Sequence, residues 1–348
     1  MNRITRMLLA VTLCAALVTG LAACSQQSGS VRFDPSPSGL RIGVVPTEDS
    51  LPLWVADGEG RLASSGVTLV SFKTAAERDA AFRAGTIDGF AGDLVEALVK
   101  RSEGESIKVV TIMLGAAPAQ GRYGIAVAPT MDVPTIKQIA KIPVGVAGAT
   151  VQGYVLDSIL KGSSVASAAV IRQEIPDVPT RYAQLMSGVL PAALLPDPYL
   201  SLAGSQGAKI LADDTTRSVS VVPKACSDCT KTVAGDWASG GNISQTVLVF
   251  GEEYLKDPKA VAALSVFFAE WDAAATAINS SPDTYRALLY SKLALPGTSA
   301  TDYRLSTYPT AQPPTTEEVG SVAAWAKAKG LLKAPVSYVD LVWTPPGT

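Results

Sequence analysis

Apolar positions along the chain fall into short runs that alternate with amphipathic segments from about residue 40 onward. The apolar runs at 40 to 45, 67 to 72, 87 to 91 and 107 to 112 predict strands; between them, 51 to 63, 75 to 84 and 94 to 101 carry helical periodicity, with Gly85 ending the second helix. A second series repeats the plan. Strands are predicted at 143 to 147, 169 to 175, 191 to 195 and 208 to 211, and helices at 151 to 161, 179 to 187 and 198 to 204, with Gly162 and Gly188 as stops. Such alternation predicts parallel sheets in an α/β architecture, here in two domains of related layout. Two further apolar runs, Tyr123 to Ala128 and Gln245 to Phe250, follow the two series and are read as the strands by which the chain crosses between domains. After the second run the chain turns helical: Asp257 is an N-cap with Pro258 at the first helical position of a segment reaching Asn279. Thr315 with Glu318 three residues later opens a last helix that Gly330 stops.

Ahead of the fold, residues 1 to 23 have the layout of an export signal: Arg3 and Arg6, an apolar stretch from Met7 to Leu21, and the small-residue site Leu21-Ala22-Ala23-Cys24. The last four residues resemble a bacterial lipobox, which implies that Cys24 is acylated and begins the mature chain. Residues 24 to 37, rich in Ser, Gln, Gly and Pro, are expected to be a flexible tether. Cys14 leaves with the signal, so Cys226 and Cys229 remain as a pair that an oxidising compartment closes into a small disulfide, a structural staple rather than a redox or metal site.

Composition removes several function classes. The 348 residues are 47% hydrophobic and 17% charged, which suits a folded globular chain, and 29 basic against 31 acidic residues give no footprint for a nucleic-acid partner. There is no histidine, so imidazole-activated nucleophiles and His-ligated metals are excluded. Gly145-x-x-Gly148 is not the dinucleotide fingerprint and no phosphate-binding P-loop occurs, so no cofactor is expected.

In open α/β sheets, ligands sit beyond the carboxyl ends of the strands. That rule selects Thr47, Glu48, Asp49 and Ser50 after the first strand, with Trp54 one turn on, and Asp93 after the third. In the second series it selects Gly148, Ala149, Thr150 and Gln152, then Pro198 and Tyr199. A Gly-rich turn before a helix offers free N–H groups to an anion, although Thr150 also suits an N-cap; Asp93 with Glu96 reads as a capping box. Trp54 and Tyr199 could stack on a planar ligand or fill the core, and Arg122 and Arg181 are possible clamps for a carboxylate or sulfonate.

These residues carry a resemblance that covers nearly all of the chain beyond the leader. Leu40-Arg-Ile-Gly-Val-Val-Pro, Leu53-Trp-Val-Ala-Asp-Gly-Glu-Gly, Gly66-Val-Thr-Leu-Val, Ala84-Gly-Thr-Ile-Asp-Gly-Phe and Leu190-Pro-Ala-Ala-Leu-Leu-Pro-Asp-Pro-Tyr199 resemble the NMT1/THI5-like substrate-binding proteins of ABC importers, the sulfonate, nitrate, taurine and thiamine-pyrimidine group. The resemblance implies a type II periplasmic-binding-protein fold, two α/β lobes joined by two crossing strands, with 38–128 and 245–348 as lobe I and 129–244 as lobe II. It also implies a monomeric, non-enzymatic lipoprotein outside the cytoplasm that closes on a small solute and hands it to an ABC permease and its ATPase. The ligand contacts carried over are the loop 47 to 50, Asp93, the helix start at 148 to 152 and Pro198-Tyr199. The sequence departs from the family where Thr135-Ile-Lys-Gln-Ile-Ala-Lys replaces the usual Asp-Leu-x-Gly-Lys and where the first loop is acidic. Two alternatives share the fold: a lyase using Asp93 or Glu48 as general base, and a surface lipoprotein that binds a partner without transport.

Overall fold

A computed structural model describes residues 39–115, 120–214, 246–295, 303 and 305–344; Cys24, the tether and the Cys226/Cys229 pair lie outside the described residues. Among the described residues, ten strands form two five-stranded sheets of the same plan, in the orders β2-β1-β3-β10-β4 and β7-β6-β8-β5-β9. In the first, β1 (Leu40–Val44) runs parallel to β2 (Val67–Ser71) and β3 (Gly89–Asp93), and β10 (Thr246–Gly251) inserts antiparallel between β3 and β4 (Ile107–Leu114). In the second, β6 (Pro143–Val146) runs parallel to β7 (Ile171–Glu174) and β8 (Ala192–Pro196), and β5 (Tyr123–Val127) lies antiparallel between β8 and β9 (Lys209–Asp213).

The chain therefore crosses twice, from β4 to β5 and from β9 to β10. This corrects one boundary. Tyr123 to Ala128, assigned from the sequence to lobe I, is hydrogen-bonded into the second sheet, because the apolar run that follows the first crossing is the second lobe's own antiparallel strand. Among the described residues, the first sheet draws its strands from 39–115 and 246–295, and the second from 120–214.

Eleven helices among the described residues cover the sheets: α1 (Leu51–Gly58), α2 (Arg61–Ser64), α3 (Ala75–Arg83), α4 (Leu94–Ser102), α5 (Val151–Gly162), α6 (Val178–Met186), α7 (Tyr199–Ser205), α8 (Pro258–Ser280), α9 (Pro282–Leu293), α10 (Thr316–Ala328) and α11 (Tyr338–Leu341). The single helix expected over 51 to 63 is two, because Gly60 takes the left-handed conformation at φ 73° and breaks it. α8 is long and apolar enough to cross a membrane, but it packs Leu264, Phe267, Trp271 and Ile278 into the lobe I core against α1. The other face of the first sheet and the α5 face of the second belong to one apolar cluster that spans both lobes and includes Val319 and Val322 of α10.

Polar contacts bind the lobes beside that seam. Asp157 of α5 accepts from Trp325 Nε1 and Lys329 Nζ of α10, each at 2.7 Å, and from Ser167 and Arg172 in its own lobe; the Trp325 ring also meets Tyr154 edge-on at 5.6 Å. Burial pushes the Asp157 carboxyl up, but those donors outweigh it and hold the group at about 2.

A candidate solute cleft between the lobes

The sheet registers bring the ends of the strands together. Parallel strands present their carboxyl ends, and the inserted antiparallel strands present their first residues at the same edge: Thr246 of β10 faces Asp93 of β3, and Tyr123 of β5 faces Pro196 of β8. The two edges meet across the cleft. Val151 N, at the start of α5 in lobe II, donates to Asp93 Oδ1 of lobe I at 3.3 Å, and Gly121 N donates to Ser306 Oγ at 3.1 Å.

The loop after β1 forms the lobe I side. Glu48 is 7% exposed; its Oε1 accepts from the Tyr303 hydroxyl and from Ser306 N at 3.2 Å, while its backbone carbonyl accepts from the Tyr308 hydroxyl at 2.9 Å. Asn279 near the end of α8 pins Tyr308 by two bonds to its backbone of 2.8 and 2.9 Å, so an exposed helix residue positions the tyrosine that holds the loop. Burial, then the facing charge of Asp197, raises the Glu48 carboxyl to about 7, against the hydrogen bonds from Tyr303 and Ser306. Asp49, 4% exposed, is likewise pushed up by burial; Thr47, Thr246 and Arg78 partly oppose this. Its Oδ1 and the Thr246 Oγ1 have no hydrogen-bond partner among the described residues. Ser50 is buried and turned back onto Val45 O at 3.5 Å, and exposed Thr47 also donates to Val45 O, at 3.2 Å, so both hold the turn.

Asp93 caps α4 through Glu96 N at 2.9 Å as expected, but the reciprocal half of the capping box is missing, because the Glu96 carboxylate is drawn to Arg78. Arg78 is 2% exposed, lies over the Phe90 ring at 4.7 Å, and donates to Ala91 O at 2.5 Å and to Asp79 at 2.8 Å; Lys100 reaches Asp79 at 2.6 Å. Burial raises Asp93, which backbone donors from Glu96, Val151 and Val95, together with Arg78, oppose.

On the lobe II side, Thr150 caps α5 by accepting from Gln152 N at 3.1 Å and donates to Ala147 O at 2.9 Å. Gly148 N donates to the Glu174 carboxylate at 2.9 and 3.1 Å, and Ala149 is exposed beside it. The Gln152 side chain accepts from Arg181, a fully buried guanidinium that also donates to Ile175 O at 2.6 Å and that burial lowers to about 10. Asp197 accepts from Ser201 N and Oγ at 2.9 and 2.7 Å; Arg122 lies 3.7 Å from it and pairs with Asp213 at 2.8 Å. Burial raises Asp214, which accepts from Tyr123 N at 2.7 Å, to about 8.

Two aromatic candidates sit elsewhere. Trp54 is in the lobe I core, with the Lys292 ammonium 5.9 Å from its ring, and Tyr199, which follows Pro198 at the start of α7, packs on Tyr182 at 5.5 Å in the lobe II core. Their places in the cleft are taken by tyrosines that the strand-exit rule does not select. Tyr123 is 8% exposed and feels Asp93, Asp49 and Asp214 together, and Tyr290 feels Glu48 and Asp197.

No family model matches the chain and no curated protein matches it. Solved structures do. The periplasmic aliphatic sulphonate binding protein SsuA from Escherichia coli is 18% identical with a TM-score of 0.68, over 89% of this chain and 93% of that one. The alkanesulfonate-binding protein SsuA from Xanthomonas axonopodis pv. citri, bound to MOPS, is 17% identical with a TM-score of 0.67, over 88% of this chain and 98% of that one. The periplasmic nitrate-binding protein NrtA from Synechocystis PCC 6803 is 14% identical with a TM-score of 0.54, over 74% of this chain and 68% of that one. The chain has the two-lobed periplasmic-binding-protein fold of type II, as the sequence resemblance implies.

Proposed function

We propose that this chain is the extracytoplasmic solute-binding lipoprotein of an ABC importer. It captures one small solute between its lobes by closure and presents it to a membrane permease driven by an ATPase. One observation carries the reading: two sheets of the same plan turn the same strand ends toward each other, and across that edge Asp93 of one lobe meets Val151 N of the other and Ser306 meets Gly121 N. Ligand contacts on both walls give the closed state its differential affinity, which is what a ligand needs in order to drive closure.

The resemblance puts forward sulfonates, nitrate, taurine and thiamine-pyrimidine precursors as solutes, with the loop 47 to 50, Asp93 and residues 148 to 152 as the binding elements. In the same proposal Cys24 carries the lipid, residues 24 to 37 span from the membrane to the fold, Cys226 and Cys229 form a disulfide, and the protein works as a monomer without cofactor or catalysis. Isothermal titration of the full chain against those solutes, amines and amino acids, with the solute recovered and analysed afterwards, tests it. One solute should bind at one-to-one stoichiometry and return unchanged. Steady conversion of the solute would contradict the reading in favour of an enzyme, and silence across the panel would contradict solute capture.

A further inference from the structure

An anion in the cleft needs donors, and three backbone donors at the start of α5 are already engaged. Gly148 N is held by Glu174 at 2.9 and 3.1 Å, Val151 N by Asp93 at 3.3 Å, and Gln152 N by Thr150 Oγ1 at 3.1 Å. The positive end of α5 is therefore neutralised by one carboxylate from its own lobe and one from the other. Arg181 is fully buried and donates to Gln152 and Ile175 O, and its Nε alone has no partner among the described residues.

One carboxylate acceptor, in contrast, stands open. Asp49 is 4% exposed and its Oδ1 accepts no hydrogen bond among the described residues. The Thr246 hydroxyl lies close enough to lower the Asp49 carboxyl but, like the Tyr290 hydroxyl beside Arg286, Asp197 and Glu48, has no partner within hydrogen-bond geometry among the described residues, and each can donate or accept. A carboxylate oxygen buried without a donor costs free energy that a bound N–H group recovers. Three more carboxyls surround it, Glu48 and Asp93 in the same lobe and Asp197 facing Glu48 from the other, against the buried Arg78, which is already paired with Asp79 and Glu96.

We propose that this cleft binds a small organic cation, an amine or amidine, whose N–H groups are received by Asp49 Oδ1 and Thr246 Oγ1 and whose charge is balanced by Glu48, Asp93 and Asp197. The proposal rests on the reading of the chain as a solute receptor and narrows it to one charge class, opposite to that of sulfonate and nitrate.

Matched probes test it. The full chain is titrated calorimetrically with n-butylamine against n-butanesulfonate and with benzamidine against benzenesulfonate, and the series is repeated on Asp49→Asn and Thr246→Val. A cation should bind and its sulfonate partner should not. Asp49→Asn should weaken that binding about tenfold or more, the scale of a lost charge-assisted hydrogen bond, with a melting midpoint no lower than the parent's because a buried charge is removed. Thr246→Val, which keeps the charge, should weaken it less, and it reports on the same pocket if the Asp49 variant does not fold. Sulfonate binding with both cations silent overturns the cation assignment and leaves solute capture standing, as does cation binding that neither variant weakens, which moves the contact elsewhere. If neither these probes nor the wider solute panel bind, solute capture fails and the assignment fails with it.

Discussion

Glu48 makes the solute-free protein lose stability as pH rises. Its folded carboxyl sits at about 7 against an ordinary 4.5, because burial and the facing Asp197 disfavour its charge. Between those values the folded state holds a proton that the unfolded state has released, so stability falls with rising pH; the full contribution is present below 4.5 and is lost once pH has risen through about 7. At about 1.4 kcal/mol per pH unit the interval amounts to roughly 3 kcal/mol at most. Glu48→Gln removes this titration while keeping the shape: the amide oxygen still accepts from Tyr303 and Ser306, and the amide N–H₂ meets Asp197 without like-charge repulsion. Urea unfolding at pH 5 and pH 8.5 measures it. The parent should lose roughly 2 to 3 kcal/mol more than the variant between the two pH values at an unchanged urea slope. Asp49, Asp93, Asp197 and Asp214, raised in the same direction, leave a residual slope in the variant. Equal pH dependence in the two proteins would refute the placement of Glu48 as a buried, charge-opposed group.

Other consequences follow from the same packing. Arg78→Met strips the guanidinium from Asp79, Glu96 and Ala91 O and leaves two partly buried carboxylates short of a partner, so chemical denaturation should register a loss of about 3–5 kcal/mol; a loss under 1 kcal/mol would mean that Lys100 alone satisfies them. Asp157→Asn weakens the bridge from α5 to Lys329 and Trp325 of α10, and because that bridge forms between lobes it should lower solute affinity about fivefold with an unchanged circular dichroism spectrum, an outcome that titration decides. Gly89→Ala drives a methyl group to 2.6 Å from both the Phe250 ring and Val249 O at the β3–β10 pairing, and thermal melting should show a cost of about 1–3 kcal/mol; no cost would mean that the sheet separates there freely.

Much of the fold was legible because local signals and tertiary roles agree. The capping box at Thr315 and Glu318, the stop at Gly330 with φ of 70°, and the Asp257 cap on Pro258 all occur where their chemistry places them. The site was half legible. The strand-exit rule reached Glu48, Asp49, Asp93 and the α5 start, but it is a rule for parallel strands, and Tyr123 and Thr246 enter the cleft as the first residues of inserted antiparallel ones. That they open the two crossing strands is the signal that could have found them. Tyr303 and Tyr308 had no such signal, since Tyr303 meets Glu48 across 255 positions of sequence. Trp54 and Tyr199 show the opposite limit: their spacing fits both a ligand and a core, and enclosure by α8 or by Tyr182 decides for the core.

The central claim, capture of a solute by closure of two lobes, is tested most directly by small-angle X-ray scattering of the full chain with and without the solute that calorimetry identifies. The account predicts a smaller radius of gyration on binding, with scattering that matches the lobes bridged through Asp157 and α10. A solute that binds tightly while the scattering stays unchanged would contradict it.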